Sequence, residues 1–220
     1  MIENLPREAL LVGGSIGAAA LVTYLTRFRP RWPTGPLGKK PGGLQRIGDA
    51  DFHQKRGSGK HEAVDIGMPV GTPIRALASG RVNFVAYDHS SAGTYIEIDH
   101  RSALARLLGL PGYYSRYLHL SQPTPSNPTV EVGDFVFKGQ KIGLSGGEPG
   151  AYGAGNTTGP HLHLEVLKGS RKLGTTAFGL KRVNPEWYLP GFRGYLRKTL
   201  IAGSIFGVAY FAAKKTGVLK

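Results

Sequence analysis

Short runs of β-branched and aromatic residues, separated by turn residues, fill the middle of this 220-residue chain. The clearest runs are HEAVDIGM, TPIRALASGRVNFVAYD, TYIEIDH, YSRYLHLS, DFVFKGQKIGLS and HLHLEVLK. Glycine (33 residues) and proline (15 residues) are abundant, and this composition favours short strands over long helices. The pattern predicts an all-β domain with a mostly antiparallel sheet over residues 44–190.

Two uncharged apolar runs lie at the ends of the chain. Residues 9–26 are 18 residues without a charge, which is the short end of what spans a bilayer, so we predict a membrane helix within residues 1–26. A cleaved signal peptide is the alternative, but the preceding segment is net negative, whereas signal peptides begin with positive charge. The second run, residues 200–213, lies in a basic tail over 191–220. It is short for a span, so an interfacial, a re-entrant and a core-packed helix all stay open.

The net charge of +14 belongs to the flanks of the predicted domain. Residues 27–60 carry nine Lys or Arg against two Asp, and residues 168–220 carry eleven against one Glu. Residues 61–167 carry seven basic and nine acidic groups. Residues 27–43 are rich in proline and glycine and are predicted to form a basic linker. We therefore expect the apolar termini and basic flanks to bind a lipid membrane, and we expect no nucleic-acid partner.

The absence of cysteine excludes disulfides and thiolate metal sites, so any metal must be held by histidine and carboxylate. In HLHLEV, His161 and His163 lie two apart and would share one face of a strand, as would His61 and Asp65, four apart in HEAVD. Incidental histidines on a half-buried strand are the plain alternative. A His, an Asp and a second His would instead give three ligands and one open position, which is the arrangement of a catalytic zinc site.

Over residues 52–189 the chain resembles the lysostaphin-type zinc endopeptidases, which cut peptide bonds in bacterial peptidoglycan. The resemblance rests on six ordered blocks: HEAVD, GTPIRALASGRV, YLHLS, VEVGDFVFKGQKIG, TGPHLHLEV and VNPEWYL. It implies one zinc ion per chain, an open substrate groove in the sheet, and hydrolysis of a stem-peptide or cross-link bond. It also implies roles for five residues: His61, Asp65 and His163 as zinc ligands, with His119 and His161 as the catalytic pair.

Together with the apolar termini, the resemblance predicts a membrane-associated enzyme of the bacterial cell envelope or of a virion membrane, such as a phage lysin. A catalytically silent scaffold that activates another wall hydrolase is the alternative function. The basic residues after the first apolar run would place the domain on the cytoplasmic side of a membrane, whereas peptidoglycan lies on the other side. Delivery in a particle or after lysis would resolve this conflict.

Outside the five site residues, the sequence gives expectations for Ala63, Glu165, two loops and three further histidines. Ala63 stands where the family usually has glycine, and its methyl group is expected to narrow the site or shift the strand. Glu165 is interpreted either as a group that orients a ligating histidine or as an ordinary strand carboxylate. The loops 101–114 and 146–156 exceed the family minimum and are expected to line the groove. Three histidines have no partner pattern and are predicted to be surface or structural residues: His53, His89 and His100.

Overall fold

Strands dominate the structure, a computed structural model that describes residues 30–34, 52–57, 59–175 and 180–189. The strands are β1 (Lys55–Arg56), β2 (Gly59–Lys60), β3 (Val64–Gly67), β4 (Pro73–Arg75), β5 (Gly80–His89), β6 (Gly93–Asp99), β7 (Gly112–Gln122), β8 (Phe135–Val136), β9 (Lys141–Ser145), β10 (His161–Gly169) and β11 (Lys181–Val183). The other described elements are one short helix, α1 (Ala103–Leu107), and one 3-10 turn (Pro185–Trp187). The predicted β-rich fold is confirmed.

Nine strands form one antiparallel sheet, as predicted. Its main path runs in the order β11-β10-β7-β6-β5-β8. Strand β3 pairs with the first four residues of β10, and β9 pairs with both β4 and β7. Strands β1 and β2 form a separate hairpin. The strands that pair with β7 and β10 come from both the first and the second half of the domain. This pairing brings residues that are distant in sequence to one end of the sheet.

The hydrophobic core packs on one face of the sheet, and His161 and His163 lie on the opposite face. Fully buried side chains from β4, β6 and β10, such as Ile74, Ile96 and Leu164, belong to one cluster. Tyr117 of β7 also lies in this cluster, and its hydroxyl accepts a hydrogen bond of 2.8 Å from the backbone N–H of Leu77. Because the buried hydroxyl has a hydrogen-bond partner, this contact holds β7 against the segment that follows β4.

Part of the segment that the sequence assigned to the linker packs on the domain. Trp32 is 2% exposed and belongs to the core cluster. The backbone N–H of Arg31 donates to the Leu77 carbonyl, and that of Arg75 donates to the Pro33 carbonyl, at 2.8 and 2.7 Å. The bounds of the linker and of the domain stay predictions.

The predicted apolar segments of the two termini, within residues 1–26 and 191–220, lie outside the described residues. Among the residues that the structure describes, no helix combines the length and apolar character needed to cross a membrane. Membrane helices at the termini therefore stay predictions.

His100 is a structural histidine. One ring nitrogen, Nε2, lies 2.7 Å from the Ser115 hydroxyl oxygen, and Nδ1 lies 3.1 Å from the Ser79 carbonyl. Burial disfavours the charged ring and lowers the pKa of His100 to about 4.

This low pKa predicts a loss of stability in mild acid. Because the unfolded chain takes up a proton at His100 near pH 6.5 and the folded chain only near pH 4, stability is complete above pH 6.5 and falls as pH drops toward 4. The loss from this residue is at most about 3 kcal/mol. Denaturant titrations of the metal-stripped protein between pH 7 and 4 should show a shallower pH dependence for His100→Gln than for the parent. Identical slopes would contradict the prediction.

Candidate metal centre and active site

Strands β3 and β10 bring a carboxylate and a histidine face to face. Asp65 lies directly opposite His163 in the antiparallel register, and neighbouring side chains in such a pair point the same way. The Nδ1 atom of His163 lies 2.8 Å from Oδ1 of Asp65. Strand pairing, rather than proximity in sequence, therefore joins these two groups.

His61 completes this group from the residues just before β3. Its backbone N–H donates to the Gln54 carbonyl at 2.8 Å, which holds the extended residues that precede the strand. Its Nε2 atom lies 3.3 Å from Nδ1 of His163 and 3.3 Å from Oδ1 of Asp65. Three ligand atoms from three buried or half-buried side chains thus converge on one point.

The separations of these atoms fit a tetrahedral zinc site. Zinc bonds to histidine nitrogen and carboxylate oxygen are about 2.0–2.2 Å long, so two ligand atoms in tetrahedral geometry lie about 3.3–3.5 Å apart. Two of the three observed separations are 3.3 Å, and the third, at 2.8 Å, is a hydrogen bond. Only the His163–Asp65 pair would have to open slightly for a metal ion to replace the shared proton.

The protonation states of Asp65 and His163 also suit a metal site. Burial opposes ionisation of Asp65, but hydrogen bonds from His163, His61 and Arg56 outweigh it and hold the pKa of Asp65 well below its usual range. Burial likewise opposes the charged form of His163, but the hydrogen bond to Asp65 and the nearby Glu165 raise its pKa. A metal ion at this position would therefore compete with the proton shared between His163 Nδ1 and Asp65.

Glu165 lies behind His163 on the same face of β10. Its Oε1 atom is 3.7 Å from Nε2 of His163, on the side of the ring away from Asp65. Two arginines fix the Glu165 carboxylate: Arg116 donates to Oε2 and Arg182 to Oε1, each at 2.9 Å. Of the two interpretations of Glu165, this position favours a group that orients the ligating ring.

His161 and His119 form a second pair beside the first group. The Nδ1 atom of each ring donates to a backbone carbonyl at 2.7 Å, that of Gly159 for His161 and that of Ala154 for His119. This fixes the tautomer, so that Nε2 of each neutral ring is an acceptor. The two ring centroids are 4.9 Å apart, and Nε2 of His161 lies 3.7 Å from Oδ1 of Asp65.

Both rings of this pair are held neutral. Burial, followed by the charges of His163 and His161, lowers the pKa of His119 to about 4. Burial also lowers the pKa of His161. Neutral imidazoles are the form that accepts a proton during general base catalysis.

His119 reaches the site through a break in β7. Ile96 of β6 pairs with Tyr117, but Thr94, two residues earlier, pairs with Leu120, three residues later. His119 occupies the extra position with a backbone φ of 60°, which is uncommon for a residue with a side chain. Such a bulge re-aims a side chain, and here Tyr117 and Leu120 both face the core while His119 faces the site.

A second set of three groups also lies within reach of one ion. His119, His161 and His163 can offer nitrogen atoms within 4.8 Å of one another. The set of His61, Asp65 and His163 is tighter, with separations of 2.8–3.3 Å, and it includes a carboxylate that would offset part of the metal charge. The geometry favours this tighter set.

Four of the five groups line an open cleft of about 700 Å³, namely Asp65, His119, His161 and His163, while His61 lies behind them against Asp65 and His163. Its walls present cations, hydroxyls, an amide and an aromatic ring, a mixture suited to a polar polymer with peptide groups. The lining side chains away from the five groups include Arg56, Tyr95, Arg116, Asn156, Thr157 and Arg182. The predicted open groove is present.

The two long loops differ in their relation to this cleft. In the loop 146–156, Asn156 lines the cleft and Ala154 provides the carbonyl that holds His119. None of residues 101–114 lines it, because this loop joins the far ends of β6 and β7. The expectation that 101–114 lines the groove is therefore wrong.

Ala63, His89 and His53 each have a local structural environment. Ala63 is fully buried and has no left-handed backbone angle, so its methyl group is accommodated without the conformation that requires glycine. His89 accepts hydrogen bonds from the backbone N–H groups of Ser91 and Ala92 at the cleft rim, which is a structural role. His53 stacks on Phe52.

Comparison with known proteins places the domain in a family. Residues 59–175 match Peptidase family M23. The chain belongs to this family. It is thus a member of a metallopeptidase family, and the resemblance predicted from its ordered blocks is confirmed.

Two curated relatives show the extent of the M23 similarity. The peptidoglycan DD-endopeptidase ShyB of Vibrio cholerae is 37% identical over 111 residues, which are 50% of this chain and 21% of ShyB. Lysostaphin of Staphylococcus simulans is 32% identical over 112 residues, which are 51% of this chain and 19% of lysostaphin. The chain thus spans about a fifth of the curated relatives that it matches.

Among solved structures, a zinc-containing peptidase from Vibrio cholerae is 30% identical, with a TM-score of 0.47. The match covers 69% of this chain and 40% of that one.

Proposed function

We propose that this M23 chain is a zinc-dependent endopeptidase that hydrolyses a peptide bond in the stem peptides or cross-links of bacterial peptidoglycan. The observation that carries the proposal is the convergence of His61 Nε2, Asp65 Oδ1 and His163 Nδ1 at an open cleft that is also lined by two neutral histidines. The similarity to ShyB and ShyA, which are peptidoglycan DD-endopeptidases, suggests the substrate class.

In this proposal, three residues hold one zinc ion: His61, Asp65 and His163. When bound, zinc polarises a carbonyl group and lowers the pKa of a coordinated water from about 15.7 toward about 7. Glu165, fixed by two arginines, orients the His163 ring so that Nδ1 points at the metal position.

His119 and His161 are the proposed catalytic pair. Their Nε2 atoms are unprotonated acceptors, because both Nδ1–H groups are engaged by carbonyls. One of them takes the proton of the attacking water and returns it to the leaving amine. In its protonated form, a histidine of the pair donates a hydrogen bond to the oxyanion of the tetrahedral intermediate.

We further propose that the enzyme works at a membrane, in the bacterial envelope or in a virion membrane. The support comes from the uncharged runs of residues 9–26 and 200–213 and from the basic residues on both flanks of the domain. A phage or virion-associated lysin would bring such an enzyme to the wall side of the membrane.

Mass spectrometry of fragments released from defined peptidoglycans tests the proposed activity. The zinc-loaded chain should produce fragments with new peptide termini at one type of bond, whereas His161→Ala should release very little. Fragments cut only in the glycan strand would contradict the proposal. So would an inert chain that instead stimulates a second hydrolase, which is the behaviour of a scaffold.

Glu165→Gln is expected to weaken zinc binding about 10–100-fold, because loss of the charge removes the group that orients and polarises His163. Competition against a chromophoric chelator measures the affinity. Glu62→Gln is a matched control, since Glu62 also pairs with Arg182 but its side chain is 48% exposed. Equal zinc affinity of Glu165→Gln and the control would show that Glu165 is an ordinary strand carboxylate.

A further inference from the structure

Two loops form one surface at the end of the sheet opposite the metal centre. We call residues 101–111 and 168–175 the distal surface. Arg101 ties them together, since its guanidinium donates to the Ser170 hydroxyl and to the Arg171 carbonyl at 2.8 and 2.7 Å. In the β7–β10 register, Gly112 lies opposite Gly169 and Leu118 lies opposite His163. His163 and Gly169 are six residues apart on β10, so the distal surface lies about 20 Å from the metal centre along the strand.

Helix α1 of this surface turns its leucines outward. Its N-cap is Ser102, whose side chain accepts from the backbone N–H of Ala105, the one fully buried helical residue. Leu104, Leu107 and Leu108 follow the i, i+3, i+4 spacing of one helix face, and they are 41%, 82% and 59% exposed. A helix that packs on a core shows the opposite arrangement. Leu173, in the other loop, is 48% exposed.

The same end of the sheet is basic. The described residues of the segments 100–115, 167–175 and 180–183 contain no Asp or Glu. Among the described residues, two of their cations are neutralised by acidic neighbours: Arg101 by the buried Asp99, and Arg182 by Glu165 and Glu62. Five further cations lie at this end, and none of them forms an ion pair with a described residue: Arg106, Lys168, Arg171, Lys172 and Lys181.

Two of these cations are placed directly opposite each other. Lys168 of β10 pairs with Lys181 of β11, and both side chains are exposed. Like charges at opposed positions of neighbouring strands destabilise a sheet. An anionic surface that contacts both ammonium groups would remove this repulsion.

We propose that the distal surface docks on an anionic lipid bilayer. Outward leucines enter the boundary between headgroups and acyl chains, while the surrounding Lys and Arg side chains meet the anionic headgroups. A nucleic acid or an anionic wall polymer would engage the cations but would leave the four leucines in water. Docked in this way, the domain keeps its metal centre about 20 Å, measured along the strands, from the end of the sheet that contacts the bilayer.

The proposal is independent of the peptidase activity and of the apolar termini, because it rests on residues of the folded domain alone. Its test therefore needs a readout confined to the distal surface. The chain has no cysteine, so a single introduced cysteine takes an environment-sensitive fluorophore at one known position of the full-length protein.

The experiment compares Leu107→Cys with the control Val70→Cys, an exposed apolar residue in the turn that bonds to Ser145 near the cleft. Vesicles contain phosphatidylglycerol and a lipid-borne nitroxide quencher. The label at position 107 should be quenched strongly and the label at position 70 should not. Quenching that is equal at the two positions, or absent at position 107, would overturn the proposal. Shielding of the position 107 label before vesicles are added would also overturn it, because another segment of the chain would then cover the leucines.

The charge requirement is tested in the labelled Leu107→Cys protein. Each of Lys168→Gln and Lys172→Gln should raise the lipid concentration for half-maximal quenching about fivefold, because each surface charge contributes about 1 kcal/mol to binding. Catalytic activity toward soluble muropeptides should not change, since both lysines are remote from the cleft. An unchanged quenching curve would contradict the proposal. Salt-sensitive binding to heparin without lipid quenching at position 107 would assign the surface to a polyanion instead.

Discussion

Replacement of His163 by alanine is expected to remove bound zinc and peptidase activity together. His163 Nδ1 contacts both other ligand atoms, at 2.8 Å for Asp65 Oδ1 and 3.3 Å for His61 Nε2, so its loss leaves only two protein ligands. A catalytic zinc site normally has three, and a two-ligand site leaves the ion largely hydrated. We expect the variant to bind less than a tenth of an equivalent of zinc and to have activity at the detection limit. Loss of a group that only hydrogen-bonds a metal ligand lowers metal affinity roughly 10–100-fold, and loss of the ligand itself should lower it further.

The matched control lies two residues away on the same face of the same strand. His161→Ala removes an imidazole of equal size from the same cleft but no ligand of the proposed set. Zinc is measured by elemental analysis after dialysis against a buffered zinc solution, and activity is measured by muropeptide release from purified sacculi. If His161→Ala loses its zinc while His163→Ala keeps it, the two histidines have exchanged roles.

His119→Ala and His161→Ala are each expected to keep zinc and to lose most of the activity. General acid–base catalysis supplies about 10²–10⁴-fold, and loss of an oxyanion donor costs about 10²–10³-fold. Because the pair acts on one transition state, the double variant should be less than multiplicatively worse than either single variant. The values of kcat/KM for zinc-saturated variants provide the measurement, with His100→Gln as a histidine control remote from the cleft.

Two other outcomes would contradict the roles proposed for His119 and His161. A His119→Ala variant that binds zinc poorly would support the alternative set of His119, His161 and His163 as ligands. A variant with near-parental kcat/KM would remove that residue from the proposed catalytic pair.

The half of the site on β10 and β3 could be predicted from residue spacing. Period-two alternation places His161 and His163 on one face, and the structure puts both in the cleft. Glu165 follows by the same rule, so its position behind His163 had a signal in the sequence. The pairing of Asp65 with His163 had no signal in the sequence. The two residues are 98 positions apart, and the register between their strands depends on the whole sheet.

His119 shows why period-two reasoning is insufficient. In YLHLS, strict alternation would place His119 on the same face as Tyr117, which lies in the core. The bulge turns the His119 side chain to the opposite face of the sheet. The sequence does not indicate the bulge, because the residue with the left-handed backbone angle is His119 itself rather than a glycine or an asparagine. Only the family resemblance identified His119. The strained backbone persists because the Ala154 carbonyl holds the ring in place.

Loop placement was also beyond spacing arguments. The segment 101–114 is long and joins two central strands, and such loops often carry binding residues. Which end of the sheet it occupies depends on the direction of β6 and β7 relative to the metal centre. The antiparallel order puts it at the distal end, where its leucines face outward.

Stepwise return of zinc to the metal-stripped, full-length chain tests the central claim most directly. The claim is that one zinc ion, held by His61, Asp65 and His163, makes this chain a peptidoglycan endopeptidase. Peptide-bond cleavage in purified sacculi should be absent in the stripped protein, rise linearly with added zinc, and reach its plateau at one equivalent per chain. Undiminished cleavage by the stripped protein, or a plateau only at two equivalents, would contradict the claim.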